Sequence, residues 1–450
     1  MIPDSPLFLY GFLPITLALF YVSPAGLRCG VLLAASAVYF FLADAAGLPV
    51  LAAAILGNYL LGRFIGAGEA TARKHRVALG VAANIALLAW YKYATSASPL
   101  GISFFTFSAI AYLIDVGRGT LSPEKHLGRF ATAMAFFPKI TAGPIARFGP
   151  LLPELARSRP GLDDFRQGAW RLAVGLAKKT LVAGSLAPVA DAAFGRAAGL
   201  DMATAWLGLF CYSAQIYYDF SGYTDMAVGI GRMCGVRLPE NFDHPYIATS
   251  VRGFWRRWHI SLSSWFRDYL YIPLGGGRVA PWRVQCNLLV VFALCGVWHG
   301  ATLNFLVWGL WHGLFLSLER TRLGAMIDRA PAVLRHAYLL LAVMLGWVLF
   351  RATDFAVSAA YGQALFSCTI EGFEATWLTV VTRQRLAALA VAVVFAMPLG
   401  GLWERFCRIW GPGAAAVAAW GRLAALAGLL VASAMAVAAG GYAPFIYARF

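Results

Sequence analysis

Residues 284–319 read VQCNLLVVFALCGVWHGATLNFLVWGLWHGLFLSLE. No Asp, Glu, Lys or Arg interrupts them before Glu319. Two apolar runs, 284–299 and 303–319, meet around Gly300. Each is close to the roughly 17–25 residues that carry an α-helix across bilayer hydrocarbon. Working outward, similar runs recur near 7–22, 27–46, 48–66, 77–94, 102–117 and 126–142. More follow near 168–195, 202–218, 221–235, 335–351, 386–405 and 417–440. They predict an all-α polytopic membrane protein of about ten to thirteen spans, with 126–142 short enough to be re-entrant. The 450 residues are 60% hydrophobic and 13% charged, with mean hydropathy +0.67, which excludes a soluble domain on an anchor. One integral membrane domain, residues 1–450, is expected.

The net charge of +16 raises nucleic acid as a partner. The basic residues sit in short loops, however, as the positive-inside rule requires, so lipids are the expected surroundings and nucleic acid is not. Arg63, Arg73, Lys74 and Arg76 follow the third run; Arg118, Lys125 and Arg129 follow the fifth. The loop between them, Thr95–Gly101, is uncharged, and Asp44 alone marks the junction of runs two and three. Both basic loops are therefore expected in the cytoplasm, with the N-terminus outside. Asp4 stands where a signal peptide carries positive charge, so 7–22 reads as a retained helix. Seven cysteines without CxxC spacing give no support for a metal or a disulfide framework. There is no internal repeat.

The longest polar stretch is 232–283. Read as one helix at about 100° per residue, Arg252–Tyr269 places Arg252, Arg256, His259, Ser263 and Arg267 within about 80° of one another. Trp255, Trp258, Leu262, Trp265, Phe266 and Tyr269 fill an adjacent apolar stripe. Such a helix lies at a membrane surface. Its arginines meet either lipid phosphates or a phosphate-bearing ligand. Pro273 and Gly275-Gly-Gly277 then form a turn without the P-loop pattern.

His299 and His312 lie within or beside apolar helices. An ionisable group in a membrane segment is costly and points to function, although a histidine can also bind a neighbouring carbonyl structurally. Imidazole is the natural general base near neutral pH. Asp219 and Asp225 need partners if buried, and Arg252, Arg256 and Arg257 are the candidates. A haem between His299 and His312 is disfavoured, since a single helix would place them about 140° apart.

Four stretches together resemble the membrane-bound O-acyltransferase (MBOAT) superfamily, in the branch of the alginate O-acetyltransferase membrane subunit. They are Pro99-Leu-Gly-Ile-Ser-Phe-Phe-Thr-Phe107; Phe136-Phe-Pro-Lys-Ile-Thr-Ala-Gly-Pro-Ile145; Gln215–Met226 with Pro239–Tyr246 and Phe254–Gly275; and Gly296-Val-Trp-His-Gly300 with Trp308-Gly-Leu-Trp-His-Gly313. The likeness covers about residues 95–315. It implies a ring of helices around an outer funnel and a cytoplasmic tunnel, with His299 as the catalytic histidine and His259 as the second motif histidine. It also implies acetyl-CoA as acyl-donor substrate with no bound cofactor, a polysaccharide acceptor, a periplasmic acetyltransferase partner and a bacterial inner membrane. Pocket-lining roles for Arg256, Asp225, Trp298 and Asn304 follow from their places beside these motifs. Transfer from a carrier-protein thioester to a cell-wall polymer, a transporter and a non-catalytic scaffold are the alternatives. A transporter often shows two related halves, and none is found.

Overall fold

The computed structural model describes residues 3–196, 199–368 and 375–439. Among them there are helices and no strand. In chain order these are α1 Leu13–Val22, α2 Arg28–Ala43, α3 Leu48–Gly66, α4 Ala70–Ala89, α5 Ile102–Arg118, α6 Leu127–Ala135, α7 Phe137–Ile140, α8 Phe148–Ala156, α9 Leu162–Ala177, α10 Gly184–Gly195 and α11 Met202–Met233. They continue as α12 Val251–Trp255, α13 Ile260–Phe266, α14 Pro281–His299, α15 Leu303–Leu318, α16 Arg322–Arg329, α17 Ala332–Arg351, α18 Phe355–Leu365, α19 Ala375–Val380, α20 Arg383–Phe395 and α21 Gly400–Ala438.

Six described helices are long and apolar enough to cross a membrane: Leu48–Gly66, Ala70–Ala94, Leu162–Gly195, Pro281–His299, Ala332–Arg351 and Trp420–Ala438. Leu7–Val22, Arg28–Ala43 and Leu303–Leu318 are apolar but shorter. The chain is an all-α, multi-pass membrane protein. Three local departures from the expected runs are visible. The 126–142 run breaks at Phe136, whose ψ of 109° leaves the helical region. Runs 202–218 and 221–235 are one continuous helix, α11, with its polar residues inside it. Run 386–405 ends at Phe395 and restarts at Gly400, around Pro398, which has no backbone N–H for the ladder. The expected run 417–440 extends one residue past the described ones.

The chain packs as two compact units, Met1–Gly175 with Tyr223–Glu240 and Leu176–Gly222 with Asn241–Phe450. In the first, α3 and α4 are joined through a buried amide pair. Asn84 Nδ2 donates to Asn58 Oδ1 at 2.7 Å, and Asn58 Nδ2 to Asn84 Oδ1 at 3.1 Å. Apolar contact alone drives little association in lipid, so such hydrogen bonds and close backbone approach carry it. Backbone approach does so where α9 meets the end of α11. A Cβ on Gly168 would lie 2.6 Å from the Gly229 carbonyl oxygen. In the second unit the same device sets α14 against α15. A Cβ on Gly296 would lie 2.1 Å from Phe305 O, and one on Gly309 2.1 Å from Phe292 O. Only glycine permits that crossing, and it is what holds the end of α14 against the aromatic face of α15.

Candidate active site

His299 is the last residue of α14 and is buried. Its ring lies 4.5 Å from Trp298, 5.0 Å from Trp308, 5.1 Å from Phe350 and 6.2 Å from Phe305, centroid to centroid. Each aromatic contact of this kind contributes about 0.5–1.5 kcal/mol beyond burial. Together they fix the imidazole on rigid helices.

Trp308 stands between two histidines. Its ring is 5.2 Å from His312, which accepts from Trp255 Nε1 at Nδ1 over 3.3 Å. The space between His299 and His312 is thus filled by indole, which leaves no slot for a haem plane. Trp308 Nε1 is buried and has no hydrogen-bond partner among the described residues. An unsatisfied buried donor of this sort costs about 1–3 kcal/mol. Asn304 is differently occupied. Its Nδ2 donates to Ala352 O at 3.1 Å and Ser358 Oγ at 3.2 Å, tying α15 to the α17–α18 turn. Only its Oδ1 lacks a partner among the described residues.

His259 is held by other means. The helix expected over Arg252–Tyr269 is broken here: α12 ends at Trp255, α13 begins at Ile260, and His259 takes φ 43°, ψ 54°. Left-handed backbone costs an L-residue about 1–2 kcal/mol. Asn241 supplies the compensation. Its Oδ1 accepts from Ser261 Oγ at 2.9 Å, from Ser261 N at 3.1 Å and from His259 Nδ1 at 3.2 Å. Ile260 N donates to Asn241 O, and Asp243 N to Arg257 O, both at 3.0 Å. These bonds are local and polar, and period-3.6 patterning is blind to them. Donation from Nδ1 leaves Nε2 as the lone-pair nitrogen. Burial pushes the imidazole down to about 3, so His259 is neutral at physiological pH. Asn241 is a site residue that the sequence reading missed, although it lies inside the quoted Pro239–Tyr246 motif.

Beside these groups is a cavity of about 330 Å³. Arg252, Arg256, Arg267 and Arg320 line it, and its apolar wall includes Trp255, Phe292 and Cys295. Cys295 is one helical turn before His299 on α14. Arg267 pairs with Asp268 at 2.6 Å. Arg252, Arg256 and Arg320 have no carboxylate partner among the described residues. Glu319 faces elsewhere: it accepts from Val251 N at 2.5 Å and Arg252 N at 3.0 Å. It thereby caps α12 and fixes the base of the Arg252 side chain.

Residues 127–361 match the profile of MBOAT, the membrane-bound O-acyltransferase family. The chain belongs to this family. Similar proteins include the probable alginate O-acetylase AlgI of Azotobacter vinelandii, 40% identical over 88% of this chain and 83% of its own. The probable alginate O-acetylase AlgI of Pseudomonas putida is 38% identical over the whole of both chains. The peptidoglycan O-acetyltransferase of Helicobacter pylori is 34% identical over 78% of this chain and 77% of its own. The protein is an O-acyltransferase.

The acids of this acyltransferase take partners other than the three arginines expected. Asp219 pairs with buried Lys179 at 2.6 Å. Asp225 accepts from Arg171 Nη2 at 2.8 Å and Nε at 3.0 Å, and Arg171 also binds Glu240. Arg171 is one turn beyond Gly168 and Asp225 one turn before Gly229, so the glycine crossing brings them together. Asp225 belongs to the first unit and its carboxylate is engaged there. Arg256 lines the cavity, Trp298 packs on His299, and His259 sits in the Asn241 strap. Lys179 and Arg171 escaped the sequence reading because they lie 40 and 54 residues before their partners Asp219 and Asp225.

Proposed function

We propose that this acyltransferase takes acetyl groups from cytoplasmic acetyl-CoA and passes them across the bacterial inner membrane for O-acetylation of an alginate-like exopolysaccharide. The observation that carries the reading is the amphipathic cavity. Its cationic lining suits the phosphates of coenzyme A, and its apolar wall runs to Cys295, one turn from His299. The names of the alginate O-acetylase relatives support the acceptor.

In the reaction, an imidazole nitrogen of His299 takes the proton of the attacking hydroxyl. The hydroxyl oxygen bonds to the thioester carbonyl carbon and charge moves to the carbonyl oxygen. The C–S bond then breaks, and coenzyme A leaves as a thiolate that takes up the proton. General-base help of this kind is worth about 10²–10⁴-fold. Trp308 Nε1–H, the orphaned donor beside His299, binds the developing oxyanion. Neutral His259 and Trp298 shape the surroundings; Asn304 braces α15. A periplasmic acetyltransferase completes delivery to the polymer.

The test is transfer by purified enzyme from acetyl-CoA to a small hydroxyl acceptor. Arg252→Gln and Arg256→Gln should raise KM for acetyl-CoA about tenfold each, with kcat nearly unchanged. Transfer from an acyl-carrier-protein thioester alone would replace coenzyme A as the donor. Unaltered KM in both variants would remove the cavity from donor binding.

A further inference from the structure

A second polar cavity, of about 350 Å³, lies wholly within the first unit. Arg157, Arg159, Arg232 and Arg237 line it together with Glu154 and Asp164. The acids are committed. Asp164 pairs with Arg232 at 3.5 Å and accepts from Gly161 N at 3.2 Å, while Glu154 accepts the backbone N–H of Arg237. That leaves Arg157, Arg159 and Arg237 with no carboxylate partner among the described residues, all three exposed to the cleft and its surroundings.

The cleft is built rather than accidental. Its two walls are the turn after α8 and the turn after α11. Ser158 Oγ donates to Cys234 O at 2.5 Å and joins them. Both are tied to the α1–α2 connection: Arg28 Nη1 donates to Ser158 O at 3.4 Å and Tyr21 Oη to Met233 O at 2.8 Å. The charge alternation of the first five apolar runs puts that connection on the cytoplasmic side. Large apolar side chains stand exposed at the same end of α9: Leu162 is 85% exposed, and Phe165 packs on Tyr21. Guanidinium groups beside exposed leucine and phenylalanine have the composition of a membrane interface. Basic pockets at the cytoplasmic side bind anionic headgroups.

We propose that this arginine cleft is a binding site for a phosphate-bearing ligand, the headgroup of an anionic phospholipid of the cytoplasmic leaflet. Arg157, Arg159 and Arg237 donate to the phosphate oxygens, and Leu162 and Phe165 lie against the acyl chains. The site shares no lining residue with the arginine-lined cavity of the second unit.

The full-length enzyme in detergent is titrated with phosphatidylglycerol, with diacylglycerol of the same chains, and with inorganic pyrophosphate, and bound ligand is counted by native mass spectrometry. Wild type should bind phosphatidylglycerol far better than diacylglycerol. The triple variant Arg157→Gln/Arg159→Gln/Arg237→Gln should lose about a hundredfold of that affinity, since each arginine contributes about 1 kcal/mol near an anionic headgroup. Arg159→Gln alone should lose about fivefold. These side chains are exposed and form no ion pairs among the described residues, and an unshifted thermal midpoint without lipid shows that the variants fold. Equal phosphatidylglycerol binding by wild type and the triple variant overturns the proposal. Pyrophosphate binding that depends on the arginines, with no preference between the two lipids, overturns the lipid source and leaves a soluble phosphate ligand in its place.

Discussion

The two motif histidines are held in opposite ways. His299 ends a regular helix and is fixed by rings, with Gly296 and Gly309 bringing α14 and α15 within backbone contact. His259 sits in left-handed backbone between two short helices and is fixed by hydrogen bonds to Asn241. Packing on regular helices gives a group that keeps one position through a reaction. A strained turn held by polar bonds sets an orientation and a tautomer, and depends on every member of its network. The difference fits a reacting base at 299 and a supporting neutral imidazole at 259.

The largest expected effect bears on the first half of this comparison. Trp308→Phe keeps an aromatic ring on α15 near His299 and removes the N–H with part of the indole, so an unshifted thermal midpoint must accompany the assay. Transfer kcat should fall about 10²–10³-fold with KM for the donor nearly constant, the size of one lost oxyanion donor. Unchanged kcat would reduce Trp308 to packing.

Next come the two supports. Gly309→Leu drives a side chain into Phe292 O and should destabilise by about 1–3 kcal/mol or more, seen as a lower thermal midpoint and less enzyme in the membrane. Asn241→Ala removes the acceptor shared by His259 Nδ1, Ser261 N and Ser261 Oγ. It should cost about 1–3 kcal/mol and lower activity, with Asn241→Asp recovering part of both because the acceptor oxygen remains. Recovery by Asp but not by Ala would confirm that the oxygen, rather than bulk, holds the strap.

The smallest effect concerns pH. His259 lies outside the candidate spans, and burial holds its imidazole near 3 against about 6.5 when free. Below about 6.5 the unfolded chain binds a proton that the folded chain refuses. The stability contributed by neutral His259 is therefore present above that pH and declines as pH falls, at up to about 1.4 kcal/mol per unit. Thermal midpoints at pH 7.5, 6.5 and 5.5 should drop less steeply in His259→Gln than in wild type. Parallel slopes would mean that His259 is solvated.

How much of this was legible in the sequence follows from the same contrast. Apolar periodicity reveals what regular helices bury, so the α14–α15 hairpin and His299 stand out directly in residues 284–319. It also merges what local polar bonds separate. The run from Arg252 to Tyr269 looks like one amphipathic helix because its side chains alternate correctly, while the break at His259 is made by Asn241, 18 residues away. Conversely, Asp219 and the tyrosines of α11 read as a boundary, yet Lys179 neutralises Asp219 inside a continuous helix. Trp308 is visible in the sequence as part of the Trp308–Gly313 motif, but its buried N–H without a partner among the described residues is visible only in the structure.

The central claim is that His299 performs the chemistry. The most direct measurement is the O-acetyl content of the cell's exopolysaccharide in a strain that depends on His299→Ala, at membrane levels equal to wild type. Loss of O-acetyl groups in that strain, with wild-type enzyme restoring them, is the predicted result. Full acetylation by His299→Ala would contradict the account.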